Sequence, residues 1–324
     1  MTPEWVSGPL PRDARVYVAG HRGLVGGAIL RRLQQEGFEH LITRTSAELD
    51  LRDQAAVQAF FAEEQPEYVF LAAAKVGGIL ANSTYPAQFL YDNLMIATNV
   101  INAAHESEVR KLLNLGSSCI YPRLAPQPLR EEYLLTGPLE ETNRAYAVAK
   151  IAAIELCDHY RTQYGSDFIS GMPTNLYGPG DNFDLKGSHV LPALMRKMVE
   201  AKEAGAAQVE VWGSGTPLRE FLYVDDLADA CLYLMERVSE PGPINIGTGE
   251  DLTIRELATL IADVVGFEGE LVFDASKPDG TPRKLMDVSR LAGLGWTAST
   301  DLRRGVEQTY AWFLKERASG SIRS

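Results

Sequence analysis

Near the start of the chain, a short apolar run, RVYVA (15–19), ends in a glycine-rich turn and is followed by a helical pattern over residues 24–36. Gly20, Gly23 and Gly26 form the turn "GHRGLVG". Between a strand and a helix, such glycines permit a tight turn, close approach to a pyrophosphate and close packing of the helix. The spacing differs from the commoner GxGxxG, and the glycines alone could make only a turn. The flanking strand and helix favour a dinucleotide site.

Apolar runs and helical stretches keep alternating as far as residue 177. The pattern predicts strands at 40–43, 68–74, 111–117 and 168–173, and helices at 53–64, 86–106 and 144–164. This alternation is typical of an α/β fold, here a Rossmann-type doubly wound parallel sheet with a smaller mixed α/β substrate lobe. Later apolar runs predict a short strand at 208–213 and a return to the sheet at 244–247. We therefore assign 13–177 plus about 220–248 to the dinucleotide domain, and 178–219 plus about 249–324 to the lobe.

Composition narrows the functional classes. The 324 residues carry a net charge of −12, which argues against non-specific binding to nucleic acid or to an anionic membrane. No apolar run reaches about 18 residues, so no membrane span is expected, and the N-terminus does not resemble a signal peptide. Cys119, Cys157 and Cys231 are widely spaced and form neither a disulfide framework nor a metal motif. We expect a cytoplasmic protein with free thiols and no metal.

The end of the second predicted strand indicates which dinucleotide is bound. NAD sites usually carry an acidic residue there for the ribose hydroxyls, but this strand ends at Arg44. A cation favours the 2′-phosphate of NADP, and Arg22 in the glycine turn could add a second one. The alternative is that both arginines are solvated surface residues.

A tyrosine and a lysine at helical spacing are the candidates for proton transfer. Tyr146 and Lys150, in "YAVAK", lie on one face of a predicted helix. An ammonium near the phenol would lower the phenol pKa, and the tyrosine could then exchange a proton with a carbonyl while a nicotinamide exchanges hydride. Ser117, at the end of a predicted strand, would hydrogen-bond the same oxygen.

Together these segments resemble the extended short-chain dehydrogenase/reductases that act on nucleotide sugars. The resemblance extends from Val16 to about Leu314. It rests on the glycine turn and on the motifs AAAKVGG (72–78), GSSCIYP (116–122), MPTNLYGP (172–179), TNLYGPGDNF (174–183), SHVLPAL (188–194), REFLYVDD (219–226) and KPDGTPRKLMD (277–287).

Within that family, the chain is similar to enzymes that epimerise GDP-4-keto-6-deoxy-D-mannose at C3 and C5 and reduce it with NADPH to GDP-L-fucose. The resemblance implies a reductive triad, Ser117, Tyr146 and Lys150, and an epimerising acid/base pair, Cys119 and His189. The implied cofactor contacts are Gly20, His21, Arg22, Gly23, Leu24, Val25, Gly26, Arg44, Ala72, Ala73, Lys150, Pro173, Asn175, Leu176 and His189. The implied GDP-sugar contacts are Asn175, Lys197, Trp212, Arg219 and Asp279, of which Lys197 departs from an expected arginine. The family also implies a homodimer paired through the helices at 86–106 and 144–164.

Alternative interpretations remain open from the residues alone. A free cysteine such as Cys119 is usually a small buried apolar residue, and His189 could be a surface or capping histidine. The chain could be a plain NADP-dependent 4-reductase or a UDP-hexose 4-epimerase, although the former needs no Cys/His pair. A non-catalytic NADP-binding regulator would tend to lack Tyr146 or Lys150.

Overall fold

The structure, a computed structural model, describes residues 8–185, 187–277 and 279–321. The strands are β1 Arg15–Ala19, β2 His40–Ile42, β3 Tyr68–Leu71, β4 Lys111–Leu115, β5 Phe168–Pro173, β6 Asn175–Tyr177, β7 Gln208–Trp212, β8 Leu218–Arg219, β9 Phe221–Tyr223, β10 Pro243–Ile246, β11 Leu252–Thr253, β12 Glu270–Asp274 and β13 Arg283–Lys284. The α-helices are α1 Leu24–Gln35, α2 Gln54–Glu64, α3 Ile79–Thr84, α4 Pro86–Glu106, α5 Arg144–Tyr164, α6 Val190–Glu203, α7 Val224–Arg237, α8 Ile254–Val265, α9 Ser289–Gly293 and α10 Leu302–Ser319. Short 3₁₀ turns lie at Ser118–Ile120, Glu131–Tyr133 and Glu141–Asn143.

A six-stranded parallel sheet combines β1 to β5 with the later strand β10. Its order is β10-β5-β4-β3-β1-β2, so the direction of chain progression reverses between β1 and β3. In doubly wound sheets, ligands bind at the carboxyl ends of the strands beside such a reversal. The Rossmann-type fold class is confirmed, and the predicted return of the chain to the sheet is β10, which pairs with β5.

Helices cover both faces of this sheet because neighbouring strand residues point in opposite directions. Val16 and Val18 pack on one side, in a cluster that includes α1 and α7. Tyr17 and Ala19 pack on the other side with residues of α2, α4 and α5. Burial on both faces explains why the central strands appear in the sequence as continuous apolar runs.

The remaining strands form smaller sheets around a separate apolar cluster. These sheets pair β6 with β9, β7 with β12, and β8 with both β11 and β13. The cluster draws on α6, α8 and α10, and contains Met195, Leu257 and Phe313. In the described part of the chain, no helix is long and apolar enough to cross a membrane.

Two strand predictions ran at least two residues too far, and in both cases the extra residues include predicted site residues. The strand predicted at 68–74 ends at Leu71, because its neighbour β1 ends at Ala19, the partner of Leu71. The strand predicted at 111–117 ends at Leu115, and Ser117 instead caps the following 3₁₀ turn.

Candidate active site

The glycine turn brings the ends of β1 and β3 together. Gly20 has φ +88°, and a Cβ there would lie 2.7 Å from the backbone nitrogen of Ala73. A Cβ on Gly26 would lie 2.2 Å from the carbonyl oxygen of Gly20, so the turn cannot accept a side chain at either position. The predicted contacts Ala72 and Ala73 therefore lie against the turn.

The start of α1 fits a pyrophosphate. Gly23 caps the helix without a side-chain hydrogen bond, and the first turn holds no acidic residue. The backbone N–H groups of Leu24 and Val25 thus belong to a helix N-terminus suited to an anion. Beside it, His21 has a buried Nδ1 without a hydrogen-bond partner. Burial and the charge of Arg22 lower the His21 pKa.

The arginines predicted to bind a 2′-phosphate lie near the same carboxylate, Glu48. Arg44 forms an ion pair with Glu64, donates to the Thr43 carbonyl (2.9 Å) and stacks 5.4 Å from the centre of the Phe60 ring. The pKa of the exposed Glu48 carboxyl is lowered by hydrogen bonds from Thr45 and further by the charges of Arg44 and Arg22. Both arginines therefore lie near Glu48, and acidic side chains balance them.

Three further predicted cofactor contacts lie at the end of β5 and in β6. Pro173 ends β5 and is buried, and Leu176 packs against the apolar cluster under the sheet. Asn175, half-buried, donates through Nδ2 to the carbonyl oxygen of Glu220 at 2.7 Å. This bond ties β6 to the residue that lies between β8 and β9.

The predicted reductive residues come together where β4 and α5 meet. The Ser117 oxygen accepts from the Cys119 N–H at 3.3 Å. Burial raises the pKa of the Tyr146 phenol, as does nearby Cys119, and hydrogen bonding with Ser117 offsets this only in part. Lys150 is buried, donates to the Leu115 carbonyl at 2.8 Å, and has a pKa lowered to about 8 by desolvation.

The expected electrostatic effect of Lys150 on Tyr146 is therefore not found. The ammonium lies 6.0 Å from the centre of the phenol ring and is directed to a backbone carbonyl. Tyr146 stays protonated in this arrangement, which suits a proton donor to a ketone oxygen.

Cys119 lies in a cationic environment that the sequence analysis did not foresee. The Lys284 ammonium lies 3.5 Å from the Cys119 sulfur. Burial raises the thiol pKa, but Lys284, a hydrogen bond with Ser117 and the charge of Arg219 outweigh it, so the pKa is lowered overall. A cation beside a cysteine sulfur is the kind of environment in which reactive cysteines occur, whereas inert cysteines lie in apolar surroundings. Cys157 and Cys231 are fully buried, and burial raises their pKa values.

His189 lies next to the same cation. It is the N-cap residue of α6, but its side chain makes no cap hydrogen bond. The residue is exposed. Desolvation and the Lys284 charge both lower its pKa. Lys284 thus acts electrostatically on both predicted epimerising residues.

The predicted nucleotide contacts cluster beside a short loop. Trp212 is 60% exposed, and the Lys197 and Lys277 ammonium groups lie 5.5 and 5.6 Å from the centre of its ring. The Asp279 carboxylate accepts from Ser214 N and Oγ at 2.7 and 2.8 Å, which holds the loop after Trp212. Arg219 donates to the Asp279 carbonyl at 3.3 Å. Arg219 connects this cluster to Cys119, because its charge also acts on the thiol.

Two functional candidates escaped the sequence analysis, although both lie in motifs that carried the resemblance. Lys284 belongs to KPDGTPRKLMD, of which only Asp279 was assigned a role, and Glu220 belongs to REFLYVDD. A lysine 165 residues after a cysteine leaves no spacing signal. Glu220 is fully buried, which would have made it conspicuous only once the fold was known.

The parallel sheet, the glycine turn and the Ser117/Tyr146/Lys150 group are features of a dinucleotide-dependent short-chain dehydrogenase/reductase. A model of the NAD dependent epimerase/dehydratase family matches residues 16–247. The chain belongs to this family and, within it, to the group of the GDP-L-fucose synthases.

The particular relatives support this grouping along nearly the whole chain. GDP-L-fucose synthase 1 of Arabidopsis thaliana is 62% identical over 96% of this chain and 96% of its own length. GDP-L-fucose synthase of Escherichia coli (strain K12) is 58% identical over 94% of this chain and 97% of its own. A solved GDP-L-fucose synthetase from Naegleria fowleri bound to NADP has a TM-score of 0.90 and 32% identity, covering 98% of this chain and 99% of that one.

Proposed function

We propose that this protein converts GDP-4-keto-6-deoxy-D-mannose to GDP-L-fucose by epimerisation at C3 and C5, followed by NADPH-dependent reduction at C4. The observation that carries the proposal is the cationic environment of Cys119, whose sulfur lies 3.5 Å from Lys284 and next to Ser117 and Tyr146. A plain reductase has no use for an activated thiol. The similarity to GDP-L-fucose synthases over nearly the full length supports the substrate.

Epimerisation uses the thiolate and the imidazole on opposite sides of the sugar. The 4-keto group acidifies the C–H bonds at C3 and C5. Cys119 takes a proton from one face, and the electron pair of the broken C–H bond moves onto O4 to give an enolate. Tyr146 and Ser117 donate hydrogen bonds to that oxygen. Protonated His189 then returns a proton to the opposite face.

Reduction reuses the same oxygen contacts. When bound, NADPH supplies the hydride that C4 receives. Tyr146, which burial keeps protonated, gives its proton to O4, and Ser117 holds that oxygen in place. Lys150 anchors α5 to the end of β4 and so fixes the phenol.

The positive charges of Arg44 and Arg22 support NADP over NAD as the cofactor. Gly23 and the first turn of α1 would hold the pyrophosphate, while Arg44 and Arg22 would hold the 2′-phosphate. The NADP-bound relative supports the same choice.

Arg44→Asp should weaken NADPH binding far more than NADH binding, because it replaces attraction to the 2′-phosphate by repulsion. We expect a loss of at least about tenfold for NADPH, as for removal of a charge-assisted hydrogen bond. Titration calorimetry with both dinucleotides measures it, with Arg52→Asp as a control, since Arg52 pairs with Asp50 and Asp92 instead. Equal losses of affinity for the two dinucleotides would show that Arg44 does not bind the 2′-phosphate.

Lys284→Met should move the pH profile of proton exchange at C3 and C5 upward by about one unit. Lys284 stabilises the thiolate of Cys119 and destabilises the cationic form of His189, so its removal raises both pKa values. Thiolate is present above the first pKa and imidazolium below the second, and the active window therefore moves to higher pH. Deuterium incorporation followed by NMR across pH gives the profile. Lys315→Met, on an exposed face of α10, is the control. An unchanged pH profile would show that Lys284 affects the pKa of neither Cys119 nor His189.

We also propose the division of labour between the two parts of the chain. Residues 13–177 with about 220–248 would bind the dinucleotide, and 178–219 with about 249–324 would bind the GDP-sugar. Trp212 and Asp279 lie in the second set and the glycine turn in the first.

We propose a homodimer formed through α4 and α5, which pack on each other and expose apolar side chains. Tyr91, Val148 and Tyr164 are 59%, 40% and 54% exposed. A solution molar mass of twice the 35.6 kDa of one chain would support it.

The three free thiols are consistent with a reducing compartment, so we place the protein in the cytoplasm, which cell fractionation tests.

Product analysis tests the function as a whole. The purified protein is incubated with NADPH and GDP-4-keto-6-deoxy-D-mannose, and the product is analysed by NMR. GDP-L-fucose is the expected product. A 4-hydroxy sugar with unchanged configuration at C3 and C5 would identify a plain reductase instead, and a lack of NADPH oxidation would refute the assignment.

A further inference from the structure

A buried carboxylate lies behind the two cations that act on Cys119. Glu220 is fully buried, between β8 and β9 and directly after Arg219. Burial raises its pKa, and the hydrogen bonds that it accepts oppose this. The mechanism above gives its carboxylate no role, and only its backbone carbonyl contacts a predicted cofactor residue, Asn175.

The hydrogen bonds of Glu220 connect three separate segments. Its Oε1 accepts from the backbone N–H groups of Thr248 (2.6 Å) and Gly249 (2.8 Å). Its Oε2 accepts from Met286 N–H at 2.9 Å, and its own carbonyl accepts from Asn175. A Cβ on Gly247 would lie 2.2 Å from Oε1, so the carboxylate is packed directly against backbone.

These bonds stabilise a strand pairing that is only two residues long on each side. β8 and β13 share only the register pairs Leu218–Arg283 and Arg219–Lys284. The two cations that lower the Cys119 pKa are therefore direct partners in a two-residue ladder. Glu220 follows one of them, and its Oε2 holds the backbone two residues beyond the other.

We propose that Glu220 is a positioning residue that sets the reactivity of Cys119 by holding Arg219 and Lys284 together beside its sulfur. The inference rests on the proposed role of Cys119. The groups facing the thiol are Lys284 and Arg219 from the ladder, Ser117 from its own turn, and Tyr146 from α5. The pocket beside Cys119 is also lined by Arg123, Glu140 and Arg283. Arg123 forms an ion pair with Glu140, and Arg283 forms one with Asp251.

The test is the pH dependence of thiol alkylation by iodoacetamide on the native protein. Cys157 and Cys231 are fully buried, so the reaction reports Cys119. In Glu220→Gln, an amide N–H₂ must face backbone donors, so at least one of the hydrogen bonds that stabilise the β8–β13 ladder is lost. We expect the midpoint of alkylation to rise by about one pH unit, and the rate well below the midpoint to fall about tenfold. The affinity for NADPH should be unchanged.

Asp226→Asn is the matched control. Asp226 is also a buried carboxylate, and it accepts from the N–H and hydroxyl groups of Ser299 and Thr300 at 2.8 to 3.2 Å. Loss of its bonds should lower the melting temperature without moving the midpoint. A midpoint that moves equally in both variants, or in neither, overturns the proposal.

Further measurements keep the proposal separate from general destabilisation and from the proposed function. If Glu220→Gln does not fold, Glu220→Asp retains the charge but is too short to reach all three donors, and its midpoint should also rise; an unchanged midpoint overturns the proposal. In a Lys284→Met background, Glu220→Gln should add less than it does alone, since the two act through one contact. Full additivity contradicts the proposal. An ordinary midpoint in the wild-type protein would count against Cys119 as the activated base, and hence against the proposed function, whatever the Glu220 variants show.

Discussion

Tyr146→Phe is expected to lose NADPH oxidation by about 100- to 10,000-fold, the usual contribution of a positioned general acid. The variant removes only the phenol oxygen, which burial keeps protonated and which lies within reach of Ser117. The aromatic ring remains, so the fold and the affinity for NADPH should not change. The measurement is single-turnover oxidation of NADPH with the keto sugar, followed by absorbance.

Tyr160→Phe provides the matched control on the same helix. Its hydroxyl donates to the Asn102 side chain at 2.6 Å and takes no part in the site. It should reduce the ketone at the wild-type rate. Wild-type turnover in Tyr146→Phe would remove this residue from the mechanism, even if the protein proved to make GDP-L-fucose.

Cys119→Ser is expected to slow proton exchange at C3 and C5 by at least about 100-fold, because a serine hydroxyl does not ionise near neutral pH even beside Lys284. Ser117, Tyr146 and Lys150 remain in place, so the variant should still reduce the unepimerised ketone and yield a sugar of the wrong configuration. Deuterium incorporation from heavy water is followed by NMR, first without NADPH and then with it.

Cys157→Ala controls for the loss of a thiol elsewhere. Cys157 is fully buried on α5 and packs in the sheet cluster, so its loss should affect stability rather than exchange. If Cys119→Ser exchanges both positions at the wild-type rate, Cys119 is a packing residue, and a plain reductase becomes the better assignment.

The sheet and the cofactor turn were predictable because their signals are local. The apolar run before Gly20, the helix after it and the spacing of Tyr146 and Lys150 each depend on residues a few positions apart. The ends of β3 and β4 were placed too late, because an apolar run cannot show where a neighbouring strand stops.

The electrostatics of the site could not be predicted in the same way. The spacing of Tyr146 and Lys150 correctly places them on one face of α5, but it does not show that the ammonium is directed to the Leu115 carbonyl. Nor does the sequence show that Lys284 reaches a cysteine 165 residues earlier in the chain. Such effects depend on desolvation and on contacts between distant segments, which appear only in the folded chain.

The site draws its residues from two sources, and this has a consequence for how such enzymes can diverge. Ser117, Tyr146 and Lys150 are supplied by the end of β4 and by α5, whereas His189 and Lys284 come from segments outside the main sheet. With the roles proposed above, changes in those outlying segments would act on the proton donor and on the charge beside Cys119, while Ser117, Tyr146 and Lys150 stay in place. The proposed arrangement therefore lets substitutions reach the stereochemical steps without replacing the residues that handle the ketone oxygen.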